Sequence, residues 1–154
     1  MLKLFVDCVL PPIIVDRSNR LLMLLNNYAK KNDFVLLQEH WLLPGELGFL
    51  SNIDKEFMAF GSSAVDLNSN LLSGRPYGGT AILCRRSLAV NVNLVDSKNS
   101  RITAIQINAS VNNLLNSILL AYVYMPVDSG CNSDEDFEFV CGCINALIVD
   151  SHVS

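Results

Sequence analysis

Residues 33–42 read Asp-Phe-Val-Leu-Leu-Gln-Glu-His-Trp-Leu. Phe34 to Gln38 is an unbroken apolar run of strand length that follows a polar turn, and a run without polar alternation predicts a strand buried on both faces. Glu39 is the first acidic residue past that run. It stands at the C-terminal end of the strand, the place where open α/β sheets hold their ligands.

Working outward from this strand, residues 2–10 are apolar and in part β-branched or aromatic, and Pro11 and Pro12 stop them, so a short first strand and a turn are expected. Asp7 falls at the C-terminal end of that strand. From Ser18 to Lys31 the apolar positions Leu21, Leu22, Leu24, Leu25, Tyr28 and Ala29 recur at helical intervals, with Ser18 as N-cap and lysines in the last turn. Strand, helix, strand predicts a βαβ opening with a parallel pair.

Downstream, a short helical segment is expected near Gly45 to Ile53. Five strand-like runs follow, "EFMAFG", "YGGTAILCR", "LAVNVNLV", "RITAIQINA" and "SILLAYVYM", separated by Asn, Ser, Gly and Asp. They predict an antiparallel meander appended to the parallel pair. The stretch Ser62 to Arg75 has no periodicity and reads as a long loop ending in the "GRPYGG" turn. Ser133 opens a last helix whose apolar face is Phe137, Val140, Ile144, Leu147 and Ile148. The fold class is therefore α/β (α+β) with a mixed sheet, and no repeat or low-complexity segment points elsewhere.

The chain has 154 residues, which fits one domain or part of one. Hydrophobic residues make up 51% and charged residues 17%, below the roughly 25% usual in soluble domains, and this excludes a disordered segment or a coiled coil. The net charge of −4 argues against holding nucleic acid by surface electrostatics alone; a local site or a metal ion is the better agent for phosphate. No apolar stretch reaches the roughly 18 residues of a membrane span, so no membrane association is expected. Asp7, Pro11 and Pro12 interrupt the apolar start, and no small-residue cleavage site follows, against a secretory signal. The five cysteines are irregularly spaced and lack neighbouring histidines, which fits reduced thiols and a cytoplasmic or nuclear protein.

Magnesium is commonly held by one or two protein carboxylates together with substrate phosphate and water. Glu39 is the first candidate ligand and Asp7, at the neighbouring strand end, the second. Against this stands the simpler reading of Glu39 as a cap or a solvated strand end. Gly78 and Gly79 read as a tight turn with a close strand crossing, and Arg75 and Arg101 as backbone-phosphate contacts or solvated surface charges. The acidic run Asp134, Glu135, Asp136 and Glu138 reads as a solvated helix start that favours the helix dipole.

Four segments occur in register: "DFVLLQEHWL" at 33–42, "GRPYGGTAIL" at 74–83, "SRITAIQI" at 100–107 and "LLAYVYMP" at 119–126. In this order and spacing the chain, over residues 2–150, resembles the endonuclease/exonuclease/phosphatase family related to deoxyribonuclease I, and most closely the endonuclease domain of non-long-terminal-repeat retrotransposons. The resemblance implies that Gln38 and Glu39 are the pair closing the second strand, with Glu39 binding a divalent ion, Mg2+ or Mn2+. It implies that Tyr124, two residues before Pro126, is the active-site tyrosine, with Val127 where the family often has Asn. The family's first-strand Asn falls at Asp7, an inexact match.

The family's later motifs, a Gly-Asp-x-Asn strand end, a further Asp and a terminal Asp-His pair, do not occur; Asp150 and His152 stand in the wrong order and context. The resemblance thus implies that residues 1–154 are the N-terminal part of a four-layer α/β/β/α sandwich, with mixed, mostly antiparallel sheets. The expected function is that of a fragment of a metal-dependent hydrolase that nicks DNA in its complete form and is inactive alone. Two alternatives stand beside it: a phosphoesterase of the same family acting on a non-DNA substrate, and a non-catalytic interaction module. The last would use a bare apolar sheet face, which is also an expected surface for self-association.

Overall fold

The computed structural model describes residues 4–6, 31–65, 78–109, 116–125 and 133–153. β1 (Leu4–Val6) lies parallel to β2 (Phe34–Gln38), the pairing expected for a βαβ opening; the helix read over Ser18 to Lys31 falls almost wholly outside the described residues. β4 (Thr80–Arg85) runs antiparallel along the other side of β2, and β3 (Phe57–Ser62) pairs antiparallel with β4. The first sheet therefore has the order β1-β2-β4-β3.

A 3-10 helix, Pro44–Asn52, bridges β2 to β3 where a helical segment was expected. Pro44 at its first position supplies a preset φ without wasting a donor. The Glu46 carboxylate reaches back to accept the Leu43 backbone N–H at 3.1 Å, half of a capping box.

All five downstream runs contain strands, but they do not form one meander. β5 (Val92–Val95), β6 (Ile102–Ile107) and β7 (Ile118–Val123) make a separate antiparallel sheet in the order β5-β6-β7. The break is α1 (Arg86–Ala89), a single helical turn at the start of what the sequence presents as one strand-like run. Arg86 anchors the turn by donating from Nε to the Lys55 carbonyl at 2.9 Å, and Leu88 and Ala89 drop into the space between the sheets. A turn held on both sides redirects the chain from one sheet to the other.

Two-residue alternation sorts the side chains of β2 and β4 to opposite faces. Val35, Leu37, Ala81 and Leu83 pack with Leu42, Leu50, Ile53 and Phe57 beneath the 3-10 helix. Phe34, Leu36, Ile82 and Cys84 point the other way and meet Val92, Ile105, Ile107 and Tyr122 of the second sheet. The opposite face of the second sheet, with Ile102 and Ala104, packs on Val140 and Leu147 of α2 (Ser133–Val153).

This packing corrects the expectation of a bare inner face: the first sheet's apolar face is covered by the second sheet. It also narrows the apolar stripe expected on α2. Val140 and Leu147 are buried, whereas Phe137 and Ile148 are 50% and 45% exposed, because only the Val140–Cys143–Ile144–Leu147 side faces the sheet. Asp150 and His152 both belong to α2. The class is α+β, and no described helix is long and apolar enough to cross a membrane.

Cys84, Cys141 and Cys143 are free thiols. Burial, and secondarily the Asp33 carboxylate, push the Cys84 thiol up to about 12, which leaves it protonated and unreactive at neutral pH.

Candidate active site at the strand ends

The register of both sheets brings several chain segments to one end of the molecule. Gln38 pairs with Thr80, and Thr80 with Ser62, so β2 and β3 end beside the start of β4. In the second sheet Ile102 pairs with Val123, so β6 begins where β7 ends. A buried hydroxyl pair fastens the two sheets here: Thr80 Oγ1 and Thr103 Oγ1 lie 2.8 Å apart, and Thr103 Oγ1 also donates to the Thr80 carbonyl at 2.9 Å.

Glu39 and Tyr124 are each the first residue beyond the paired strand. Each continues its ladder by one backbone bond: Glu39 N–H donates to the Gly79 carbonyl at 2.7 Å, and Tyr124 N–H to the Arg101 carbonyl at 2.9 Å. Their side chains meet. Tyr124 Oη donates to Glu39 Oε1 at 2.5 Å across 85 residues of sequence, and one step back Tyr122 Oη donates to Gln38 Oε1 at 3.1 Å.

Strict alternation along β2 would not allow the first of these contacts. Val35 and Leu37 face the 3-10 helix, and residue 39 would follow them. Glu39 has φ +56 instead, and Trp41 φ +55, a left-handed backbone that costs a non-glycine residue roughly 1–2 kcal/mol. That departure ends the strand's alternation, and the carboxylate meets the phenol from the second sheet. Strain of this kind persists only where its surroundings hold it, and it gathers at functional sites.

His40 supplies part of the hold. It is 4% exposed, accepts the Leu42 backbone N–H on Nδ1 at 3.1 Å, and lies 3.1 Å from the Ser62 carbonyl through Nε2. With Nδ1 accepting, Nε2 carries the proton and donates to Ser62. Burial lowers the imidazole pKa, the backbone contacts to Ser62 and Thr80 opposing it, which agrees with a neutral ring. The ring rests on Gly79, where an added Cβ would stand 2.4 Å from His40 Cε1. Gly78 and Gly79 have φ +65 and +89, so the turn and close crossing expected from the glycines are both present, and the crossing partner is His40. The sequence places His40 only as a neighbour of Glu39, and no local pattern links it to Gly79.

Arg101 sits with its guanidinium 5.8 Å from the Tyr124 ring centroid, within cation–π range, and makes no ion pair among the described residues. The Glu39 hydrogen bond raises the Tyr124 pKa, helped by desolvation and the Glu39 charge and opposed by Arg101. The phenol is therefore a donor at neutral pH. Of the other candidates, Asp7 and Arg75 lie outside the described residues.

A shallow groove of about 400 Å³ adjoins this end, lined in part by Ser62, Ser63, Ser97, Lys98 and Asn99. Three of its serine hydroxyls are spent on the protein itself: Ser62 donates to Ile102, Ser63 to Leu42 and Ser97 to Asn99 and Ile102.

Comparison with protein-family models, with curated proteins and with solved structures finds no match. The reading of the site therefore rests on its own chemistry. Among the described residues no three His, Cys, Asp or Glu side chains gather as a metal cluster. Glu39 fits as a single oxygen ligand, with one carboxylate oxygen engaged by Tyr124, and Mg2+ sites of one or two carboxylates completed by phosphate and water are common. The acidic start of α2, Asp134 to Asp136, is exposed and belongs to the helix terminus.

Proposed function

We propose that the chain is the N-terminal part of a metal-dependent phosphodiesterase domain of the endonuclease/exonuclease/phosphatase type, with DNA as substrate of the complete domain. The observation that carries this reading is the Glu39–Tyr124 hydrogen bond, which joins residues from two sheets at one strand end. The packing of 3-10 helix on first sheet, first sheet on second, and second sheet on α2 supports a sandwich of the α/β/β/α kind.

In this reading Glu39 holds Mg2+ or Mn2+. An ion held there would supply positive charge against the phosphate. The chain's own residues act around it: the Tyr124 phenol, kept protonated, donates to a phosphate oxygen, and Arg101 supplies positive charge beside it. Glu39 orients the phenol before substrate arrives. An acid for the leaving group and a base for the water are not among these residues, so the expected activity of the chain alone is nil.

Trp41 is the sole tryptophan, so quenching of its fluorescence by Mn2+ reports binding at the neighbouring Glu39. Saturable quenching at millimolar Mn2+ or below, lost in Glu39→Gln, is the expected result. Absence of saturable quenching would overturn the metal reading, and strong plasmid nicking by the chain alone would overturn the assignment of the missing groups.

A further inference from the structure

We propose that His40 is a positioning residue: wedged between Gly79 and the β3 end, it holds Glu39 out of strand alternation and turned toward Tyr124. The role rests on the reading of Glu39 and Tyr124 as the functional pair.

Three observations converge on it. First, both ring nitrogens are committed to backbone on different segments, Leu42 just after the turn and Ser62 at the end of β3. One ring nitrogen thus binds the strained segment's own backbone, and the other ties that segment to β3, on the far side of β4. Second, the two residues with left-handed backbone, Glu39 and Trp41, flank His40 on either side. Their N–H groups donate to the Gly79 and Gly78 carbonyls. The His40 ring lies against the same Gly79, occupying the volume a Cβ would need. Third, the ring is almost wholly buried although it touches no charged partner in these contacts, so its polar atoms are satisfied only by the arrangement that also fixes Glu39. Rotating Glu39 back into alternation would break the Leu42 and Ser62 bonds together and orphan two buried groups.

Glycine at position 79 is required by the same geometry. Its φ of +89 disfavours any side chain, and its missing Cβ is the seat of the imidazole. A histidine at 40 and a glycine at 79 form one device contributed by two strand ends of the first sheet.

The test uses the whole chain and no metal. Backbone amide exchange is read by NMR at Glu39 and Trp41, and the energetic coupling between Glu39→Ala and Tyr124→Phe is read from urea unfolding, each in His40 and His40→Ala backgrounds. In His40→Ala the Glu39 and Trp41 amides are expected to exchange roughly tenfold faster or more, while those of Val35 to Leu37 keep their protection. The Glu39–Tyr124 coupling is expected to vanish. His40→Asn, whose Oδ1 can accept the Leu42 N–H, is expected to restore part of both. Should His40→Ala fail to fold, His40→Asn and Gly79→Ala carry the same comparison, the latter displacing the ring without removing it. Unchanged coupling and protection at Glu39, or a loss spread evenly over β2 and β4, would overturn the proposal and leave His40 as core packing. Since neither readout involves Mn2+, failure of wild-type metal binding would count against the proposed function alone.

Discussion

The two strand ends that meet at this site are built in opposite ways. At the end of β7, Leu120 and Tyr122 face the first sheet and Tyr124 continues in the same phase, so an undistorted strand delivers the phenol. At the end of β2 the phase is wrong for the task, and a left-handed residue, a buried histidine and a Gly-Gly turn reverse it. The difference shows that a carboxylate at a strand end is not placed by the strand; Tyr124 inherits its direction, whereas Glu39 must be held in one.

The frame common to both ends is the core between the sheets, and removing it should have the largest effect. Ile105, fully buried there, contributes packing that Ile105→Ala would forfeit. A loss of about 2–5 kcal/mol is expected, measured by urea unfolding, and the Glu39–Tyr124 hydrogen bond should break as the sheets part.

Next comes the local fastening. Thr103→Val removes a hydroxyl that bonds both the Thr80 side chain and its carbonyl, leaving buried polar atoms unpaired at a cost of about 1–3 kcal/mol. Because Thr80 sits opposite Gln38 and Thr103 opposite Tyr122, this change should loosen both strand ends, which amide exchange at Glu39 and Tyr124 would show.

The His40 hold separates the two ends by pH. Burial lowers its folded pKa below the ordinary imidazole value of about 6.5, so at mildly acid pH the unfolded chain binds the extra proton. Stability should be flat above about pH 7 and fall as pH drops through about 6.5 toward the folded pKa. Urea midpoints at pH 7.5 and 5.5 should differ in the wild type and less so in His40→Asn. Equal differences in the two proteins would exclude His40 as the source.

The smallest effect belongs to the undistorted end. Tyr124→Phe should change stability by less than about 1 kcal/mol, since the bond it removes is partly solvent-screened. Its signature is spectroscopic: Tyr124 is expected to titrate above the ordinary phenol range because of its hydrogen bond to Glu39, so Tyr124→Phe should remove one phenol titrating above that range, and Glu39→Ala should bring that phenol down.

Most of the β framework was legible in the sequence because it follows from patterning. The doubly buried β2 and the strands of the later runs are marked by apolar residues with polar punctuation, and their alternation is local. The division into two sheets was not legible, since Leu88 and Ala89 suit a strand as well as the helical turn they form, and the turn is held by long-range contacts: Arg86 on the Lys55 and Glu56 carbonyls, and Leu88 and Ala89 between the sheets. For the same reason an apolar face was expected to lie bare when its cover, the second sheet, was already in the chain. Glu39 and Tyr124 were singled out by their motifs, and Arg101 was read as a phosphate contact or a solvated charge; the three are brought together, but the reversal at Glu39 depends on Gly79 and His40 meeting across two strand ends, a contact no local pattern encodes. α2 shows the limit from the other side: a helical stripe wide enough for Phe137 and Ile148 meets a sheet that uses only its middle.

The most direct test of a single metal and phosphate site spanning both sheets is NMR line broadening by Mn2+ in the isotope-labelled chain. Expected is selective broadening of the Glu39 and Tyr124 amides at the lowest Mn2+ concentrations, abolished in Glu39→Gln. Broadening centred instead on Asp134 to Asp136, or unchanged by Glu39→Gln, would contradict it.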